Sequence, residues 1–212
     1  MAALLKKRNP YLTSNHCIAH RLHLAAEDAA KEVPYFSSYK EIVKSIYTFF
    51  SNSYKRMYEL KSIQENSENP DLAILNIVDT RWLSWATVIN NFHQILDDIH
   101  LALIQQKETN QIANFLHQAL TTEFYIFTKF LADILSTMKS MILVFQSDYV
   151  SLAETRQQLS MTIESITSDF IGNENSLPCY GIHLANYMNE SNLSGEDLPG
   201  IKLYLILVLI II

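Results

Sequence analysis

Two short blocks hold the residues best suited to chemistry. The first is His16-Cys17-Ile18-Ala19-His20-Arg21-Leu22-His23. On a helix Cys17 and His20 are i,i+3 neighbours, and His16, His20 and His23 share one face. Zinc takes four nitrogen or sulfur ligands, and a Cys-x-x-His pair supplies two. The later pair, Cys179-x3-His183, lies more than 150 residues on, far from zinc-finger spacing. The alternative is that Cys17 packs as a small hydrophobe and His20 hydrogen-bonds in a half-buried position. No metal or other cofactor is expected. The second block is Asp79-Thr80-Arg81-Trp82-Leu83-Ser84-Trp85. An Arg-Trp pair at a helix start can stack on a base or clamp a phosphate. It can equally be a pair of core tryptophans with Arg81 laid over one of them.

Catalysis at phosphodiesters needs two or three carboxylates converging on divalent cations. The candidates are Asp79, Asp97, Asp98, Asp133, Asp148 and Glu154, and no second acid stands beside any of them in a strand-end setting. Asp97 and Asp98 are consecutive and point apart on a helix. Nucleophile-elbow, phosphate-loop and His-Glu-x-x-His patterns are absent. No catalytic residue and no small-molecule substrate is expected.

The elements that must position these residues are helical. The chain has 212 residues, 49% of them hydrophobic and 18% charged, enough for one domain with a real core. Four glycines and five prolines are too few for the tight turns of an all-β fold. The formal net charge of −6 lacks the basic excess typical of a DNA-binding module. Two local clusters remain open as basic patches, Lys6-Lys7-Arg8 and Lys55, Arg56, Lys61. Two distant cysteines suit a reducing compartment, and the N-terminal apolar run precedes its charges, the reverse of a secretory signal.

Apolar periodicity predicts a helix over 17–33, stopped by Pro34, and a second over 39–64 with a Ser38–Glu41 capping box. Residues 72–78 read as extended or as a lead-in. A helix is predicted over 81–106, capped by Asp79 or Thr80, with Trp85, Val88, Ile89, Phe92, Leu96, Ile99 and Leu103 facing a core. Residues 109–149 read as one or two helices broken near Thr121-Thr122, with Phe115, Phe124, Phe127, Phe130, Leu131, Ile134, Leu135 and Met138 packed. A further helix covers 152–166, and 172–200 reads as loop-rich. The run Ile201–Ile212 is almost wholly apolar, about half the ~20 residues a bilayer span needs. It reads as the end of a truncated or misread gene model, with weak anchoring or packing as a strand or helix as alternatives. A membrane is not expected as a partner.

The two blocks, in this order and about 60 residues apart, resemble the hAT superfamily of DNA transposases and the zinc-finger host proteins derived from them. Cys17-Ile-Ala-His20-Arg-Leu-His-Leu24 is similar to the family's Cys-x-x-His block, and Thr80-Arg81-Trp82-Leu-Ser84 to its Thr-Arg-Trp-x-Ser block. Phe130–Leu135 through Leu143–Gln146 is similar to the family's helical part, so the resemblance covers about residues 10–165. The family's catalytic core is a ribonuclease-H-like fold split by an all-α insertion. The resemblance implies that this chain holds one edge of that core plus most of the insertion, without the family's three catalytic acids. It implies a nucleic-acid contact at Arg81 and Trp82, and structural, site-shaping roles for Cys17, His20, Thr80 and Ser84.

The expectation is therefore a mainly α transposase-like domain over 1–170, with a loop-rich tail over 171–212. Its expected function is non-catalytic, with DNA or related transposase-derived chains as partners, in the nucleus or cytoplasm, the nucleus favoured by the resemblance. The alternatives are a remnant of an active transposase lacking its acids, and a helical protein-interaction module with no DNA role.

Overall fold

The computed structural model describes residues 30–67, 70–77, 82–147, 151–171 and 181–193, and the isolated positions 7, 9, 11, 24, 27 and 28. Of residues 82–84, 169 and 171 it describes the backbone alone. The fold is mainly helical, with no strand among the described residues. Leu24, Glu27, Asp28, Ala30 and Lys31 have helical backbone, as the Ala- and Leu-rich run predicts.

Pro34 then does two things. It ends that run, and it occupies the first turn of α1 (Pro34–Ser51). Its fixed φ suits a helix start, and its missing N–H is one that no helix start can satisfy internally. The helix thus opens five residues before the predicted Tyr39, leaving Ser38 and Glu41 inside it rather than as a capping box. The single helix predicted over 39–64 is also broken, at Asn52-Ser53. There α2 (Tyr54–Asn66) begins, and Ser53 accepts a hydrogen bond from the Arg56 N–H at 3.4 Å. The Arg56 guanidinium closes the corner. It donates to the Phe49 carbonyl at 2.8 Å and lies 4.0 Å from the centre of the Phe49 ring.

The helix predicted over 81–106 is likewise two, α3 (Trp82–Gln94) and α4 (Leu96–Gln106), hinged at Ile95. Asp97 and Asp98 stand in the first turn of α4, where negative charge complements the exposed N–H groups. The seven predicted core positions, Trp85, Val88, Ile89, Phe92, Leu96, Ile99 and Leu103, are all buried. Asn110 caps α5 (Gln111–Ala119), accepting from the N–H groups of Ile112 and Ala113 at 2.9 and 3.2 Å. Thr121 caps α6 (Thr122–Phe145) by accepting from the Phe124 N–H, the break predicted there. Ser151 and Glu154 form a reciprocal box at the start of α7 (Leu152–Ile166). A π-helical turn, Thr167–Ile171, follows it. Residues 181–193, predicted as part of a loop-rich stretch, contain α8 (Ile182–Glu190), whose Leu184 and Met188 are buried.

Helix α6 is the centre of the body. Every residue from Phe124 to Leu135 is buried except Lys129, which is half-buried. A helix apolar over most of its circumference must be covered over most of it. Here α3, α7 and α8 pack against it, α1 meets it through aromatic side chains, and α2 packs on α4. Aromatic rings fill the junction with α1. Phe127 meets Tyr35, Tyr39 and Phe36 edge-on, and Tyr39 lies 4.8 Å from Phe124 between ring centres. The Tyr39 hydroxyl lies 3.1 Å from Thr128 Oγ1, which itself donates to the Phe124 carbonyl at 2.8 Å.

Phe115 does not join this core, although the sequence predicts that it does. It is 63% exposed, because Ala113 and Leu116 occupy the buried face of its short helix. Phe115→Ala is accordingly expected to change stability by less than about 0.5 kcal/mol. Urea unfolding followed by circular dichroism checks this, and a midpoint shift like that of a core aromatic would contradict the placement.

Candidate functional site

Several titratable side chains gather around Lys129, Asp133 and Tyr125 of α6, contributed by α3, α4, α5 and α8. Lys129 and Asp133 are one turn apart on α6. The Lys129 ammonium donates to the His93 carbonyl at 2.8 Å, in the last turn of α3, where the ladder has run out of its own donors. Asp133 is 7% exposed and takes the opposite helix end. Its two carboxylate oxygens accept from the N–H groups of His183 and Leu184, each at 3.0 Å, at the start of α8. The residue preceding α8 is Gly181, which has no side chain to cap the helix itself. A Cβ built on Gly181 would lie 2.3 Å from Asp133 Cγ, so only glycine admits the carboxylate this closely. Cation at a C-terminus and anion at an N-terminus both match the helix dipoles.

Two histidines flank this pair. The His93 and His183 rings lie 4.3 Å apart between centres, and His183 Nε2 is 4.0 Å from Asp133 Oδ1. Burial, with His183 and Lys129 adding to it, holds the pKa of His93 down to about 4. Burial also lowers that of Lys129, opposed by the nearby Asp97, Glu190 and Asp133. Beside them lies a cavity of about 300 Å³ lined by His93, Lys129, His183, Asn186, Tyr187 and Glu190, with Pro70 on its wall.

Tyr187 carries the stripe onward by stacking on Tyr125 at 5.5 Å. From Tyr125 a hydrogen-bonded chain crosses three helices. His100 Nδ1 is 2.9 Å from the Tyr125 hydroxyl, and His100 Nε2 is 2.9 Å from His117 Nδ1. Asp97 lies near enough to the Tyr125 hydroxyl to raise its pKa. A neutral His100 donates from one ring nitrogen and accepts at the other, so its tautomer sets the direction of both contacts. Burial raises Tyr125 above the ordinary phenol range, and burial together with His117 lowers His100. Both shifts favour the neutral forms of Tyr125 and His100 near pH 7.

This stripe can orient protons and tie helix ends together. The lysine that could have served as a reacting amine is held on a carbonyl, and the buried carboxylate is held on two amides. The other described acids named from the sequence are also at helix starts, Asp97 and Asp98 in α4 and Glu154 in α7. Among the described residues no three of His, Cys, Asp or Glu gather as a metal ion requires. Nor is any helix among them long and apolar enough to cross a membrane.

Most residues singled out by motif are not among those described. Cys17, His20, Thr80, Arg81, Asp79, Asp148 and Cys179 lie outside the described residues. Trp82 and Ser84 are placed by backbone only, in the first turn of α3. Of the basic group on α2, Arg56 is spent on Phe49, Lys55 pairs with Glu59 at 3.7 Å, and Lys61 pairs with Asp71 at 3.2 Å. His93, His100, His117, Tyr125, Lys129 and Tyr187 belong to no motif. The one signal of them in the sequence is the i,i+4 pair Lys129 and Asp133 on an otherwise apolar helix.

The His93 environment sets a pH dependence. Its ordinary pKa is 6.5 and its folded value about 4, so as pH falls the unfolded chain takes up the proton first. The stability in question is fully present above about 6.5 and is lost as pH falls toward 4. Between pH 7.5 and 5 the expected loss is on the order of 2 kcal/mol, since each tenfold difference in proton affinity between the folded and unfolded chain is worth about 1.4 kcal/mol. Urea titrations of the wild type and His93→Gln at both pH values check this. Equal losses in the two proteins would remove His93 from the account.

No protein-family model matches the chain, and no solved structure matches it.

Proposed function

We propose that this chain is a non-catalytic helical domain of hAT-transposase descent, whose role is to bind other macromolecules. On this reading it contains one edge of the ribonuclease-H-like core together with the helical insertion, and it acts in the nucleus. The observation that carries the proposal is the use made of its acids. Asp97, Asp98, Asp133 and Glu154 all stand at helix N-termini, where each offsets a helix dipole instead of meeting a second carboxylate.

DNA and related protein chains are the two partner classes proposed, since the exposed ion pairs of Lys55 and Lys61 are too weak to decide between them. A DNA contact, if made, belongs to Arg81 and Trp82. The test incubates the purified chain with supercoiled plasmid and magnesium, and in parallel with a labelled duplex at low salt. Intact plasmid is the expected result. Nicking that a chelator abolishes would overturn the proposal in favour of an active transposase remnant. A salt-dependent duplex shift, lost in Arg81→Ala/Trp82→Ala, would assign DNA as the partner. Without a shift, self-association in sedimentation velocity would assign related chains.

A further inference from the structure

α8 has nine residues, and isolated helices shorter than about 12–15 residues are marginal in water. It persists because it packs on α6, and among the described helices it packs on no other to a comparable extent. Leu184 and Met188 supply its buried contacts, Tyr187 stacks on Tyr125, and Asp133 caps its start. The pairing of α3 with α6 does not depend on it. Those two helices pack directly, and Lys129 ties them together without α8.

One titratable ring stands beneath this helix. His93, at the end of α3, is 6% exposed and shares its cavity with His183, Asn186, Tyr187 and Glu190, all from α8. The His183 ring lies 4.3 Å from it between centres. α8 thus helps to keep water from the imidazole, and an imidazolium kept from water is costly unless an anion faces it. The charged groups about the ring are Lys129 and Asp133 of α6, His183 and Glu190 of α8, and Asp97 of α4, which acts on Lys129. Lys129 and a protonated His183 repel a proton on His93, and Asp133 is already engaged by two N–H groups. Tyr125 and Tyr187, both raised by burial, stay neutral across the acid range.

From this arrangement we infer that α8 is an acid-released latch: a proton taken up by His93 lifts it from α6 and leaves the remaining helices folded. Lifting uncovers the α6 face beneath Leu184 and Met188. His93 has its ordinary value of 6.5 once α8 is lifted and is held to about 4 beneath it, so the lifted form binds the proton first. The opening constant of α8 therefore rises as pH falls through 6.5 and levels off below about 4. Between pH 7.5 and 5 the expected rise is about thirtyfold.

Amide hydrogen exchange at these two pH values, with and without sub-denaturing urea and corrected for intrinsic exchange, tests this. It compares the full chain with His93→Gln, which keeps the carbonyl that Lys129 binds. Peptides covering 182–190 are expected to open about tenfold or more above the amides of α6 at each pH, with little response to urea, because lifting exposes little surface. Their thirtyfold rise is expected in the full chain and not in His93→Gln. Opening equal to that of α6, with the same urea response, would overturn the inference, since α8 would then leave only when the whole chain unfolds. So would a rise missing from the full chain or kept in the variant. Nuclear magnetic resonance of the His93 ring in the unaltered chain gives a second reading that needs no substitution. The ring is expected to stay neutral at pH 5 while α8 is protected, and a ring titrating near 6.5 with α8 in place would overturn the latch.

Discussion

Asp133→Ala is expected to cost about 3 kcal/mol, with its effect concentrated on α8. The substitution strands two N–H groups, the part-buried one of His183 and the buried one of Leu184, and removes an anion from a helix start. A hydrogen bond to a charged group contributes roughly 1.5–3 kcal/mol, and an unsatisfied buried donor costs about 1–3 kcal/mol. Because Leu184 and Met188 belong to the core, loosening of α8 is expected to lower the urea midpoint as well as the exchange protection of 182–190. Gly181 provides the sharper test. In the wild type, Gly181→Ala drives a methyl to 2.3 Å from Asp133 Cγ, and a cost of about 2–3 kcal/mol is expected. In an Asp133→Gly background the carboxylate and the Asp133 Cβ, itself 2.4 Å from the added methyl, are both gone, so the same substitution is expected to cost well under about 1 kcal/mol. Equal costs in the two backgrounds would refute the close approach.

Phe127→Ala is expected to lower stability by about 4 kcal/mol, the largest effect of any single truncation considered. Phe127 is 1% exposed and touches Tyr35, Phe36 and Tyr39 from α1 and Phe130 on its own helix. Its removal empties the seam between α1 and α6, where rings of fixed shape cannot collapse inward to fill the space. Phe127→Leu keeps more of the volume and is expected to lose about half as much. Chemical denaturation of the three proteins, with Phe115→Ala as the exposed control, checks the ranking. A Phe127→Ala protein that unfolds at the wild-type midpoint would dismantle the account of the core.

Where the apolar stripe is long and regular, the sequence can be read directly. The buried set Trp85, Val88, Ile89, Phe92, Leu96, Ile99 and Leu103 follows from a 3.6-residue period, and Thr121 announces α6 through its hydroxyl. What periodicity passes over is interruption. Across Ile95 the stripe continues in phase, with Leu96 and Ile99 buried, whereas across Asn52-Ser53 the apolar spacing runs on in sequence but Tyr54 turns outward and is 89% exposed. The hinge at Ile95 is stabilised from outside its own sequence, by Lys129 on the last turn of α3. Phe115 is misplaced for a related reason. Hydrophobicity marks a candidate for burial, while position on a nine-residue helix decides it.

The polar stripe is the least legible part. His93, His100, His117 and His183 stand on four separate helices, and nothing in their spacing says that they meet. α8 is hidden among Gly, Asn and Pro residues, and its cap is a side chain 50 positions upstream. Local rules for helix starts look within four residues, so a cap supplied from another helix leaves no trace in the window that is searched.

The four-residue step from Lys129 to Asp133 acts as a ruler set into the spine of the molecule. One extra residue inside it would swing every later side chain of α6 by about 100°, leaving α3 tethered while α8 lost its anchor. Length changes should therefore be accepted in the connection after Ala119 or beyond Ser147, and rejected within the single turn from Phe130 to Ala132. A library of one-codon insertions, sorted for soluble expression, would draw that forbidden window directly onto the gene.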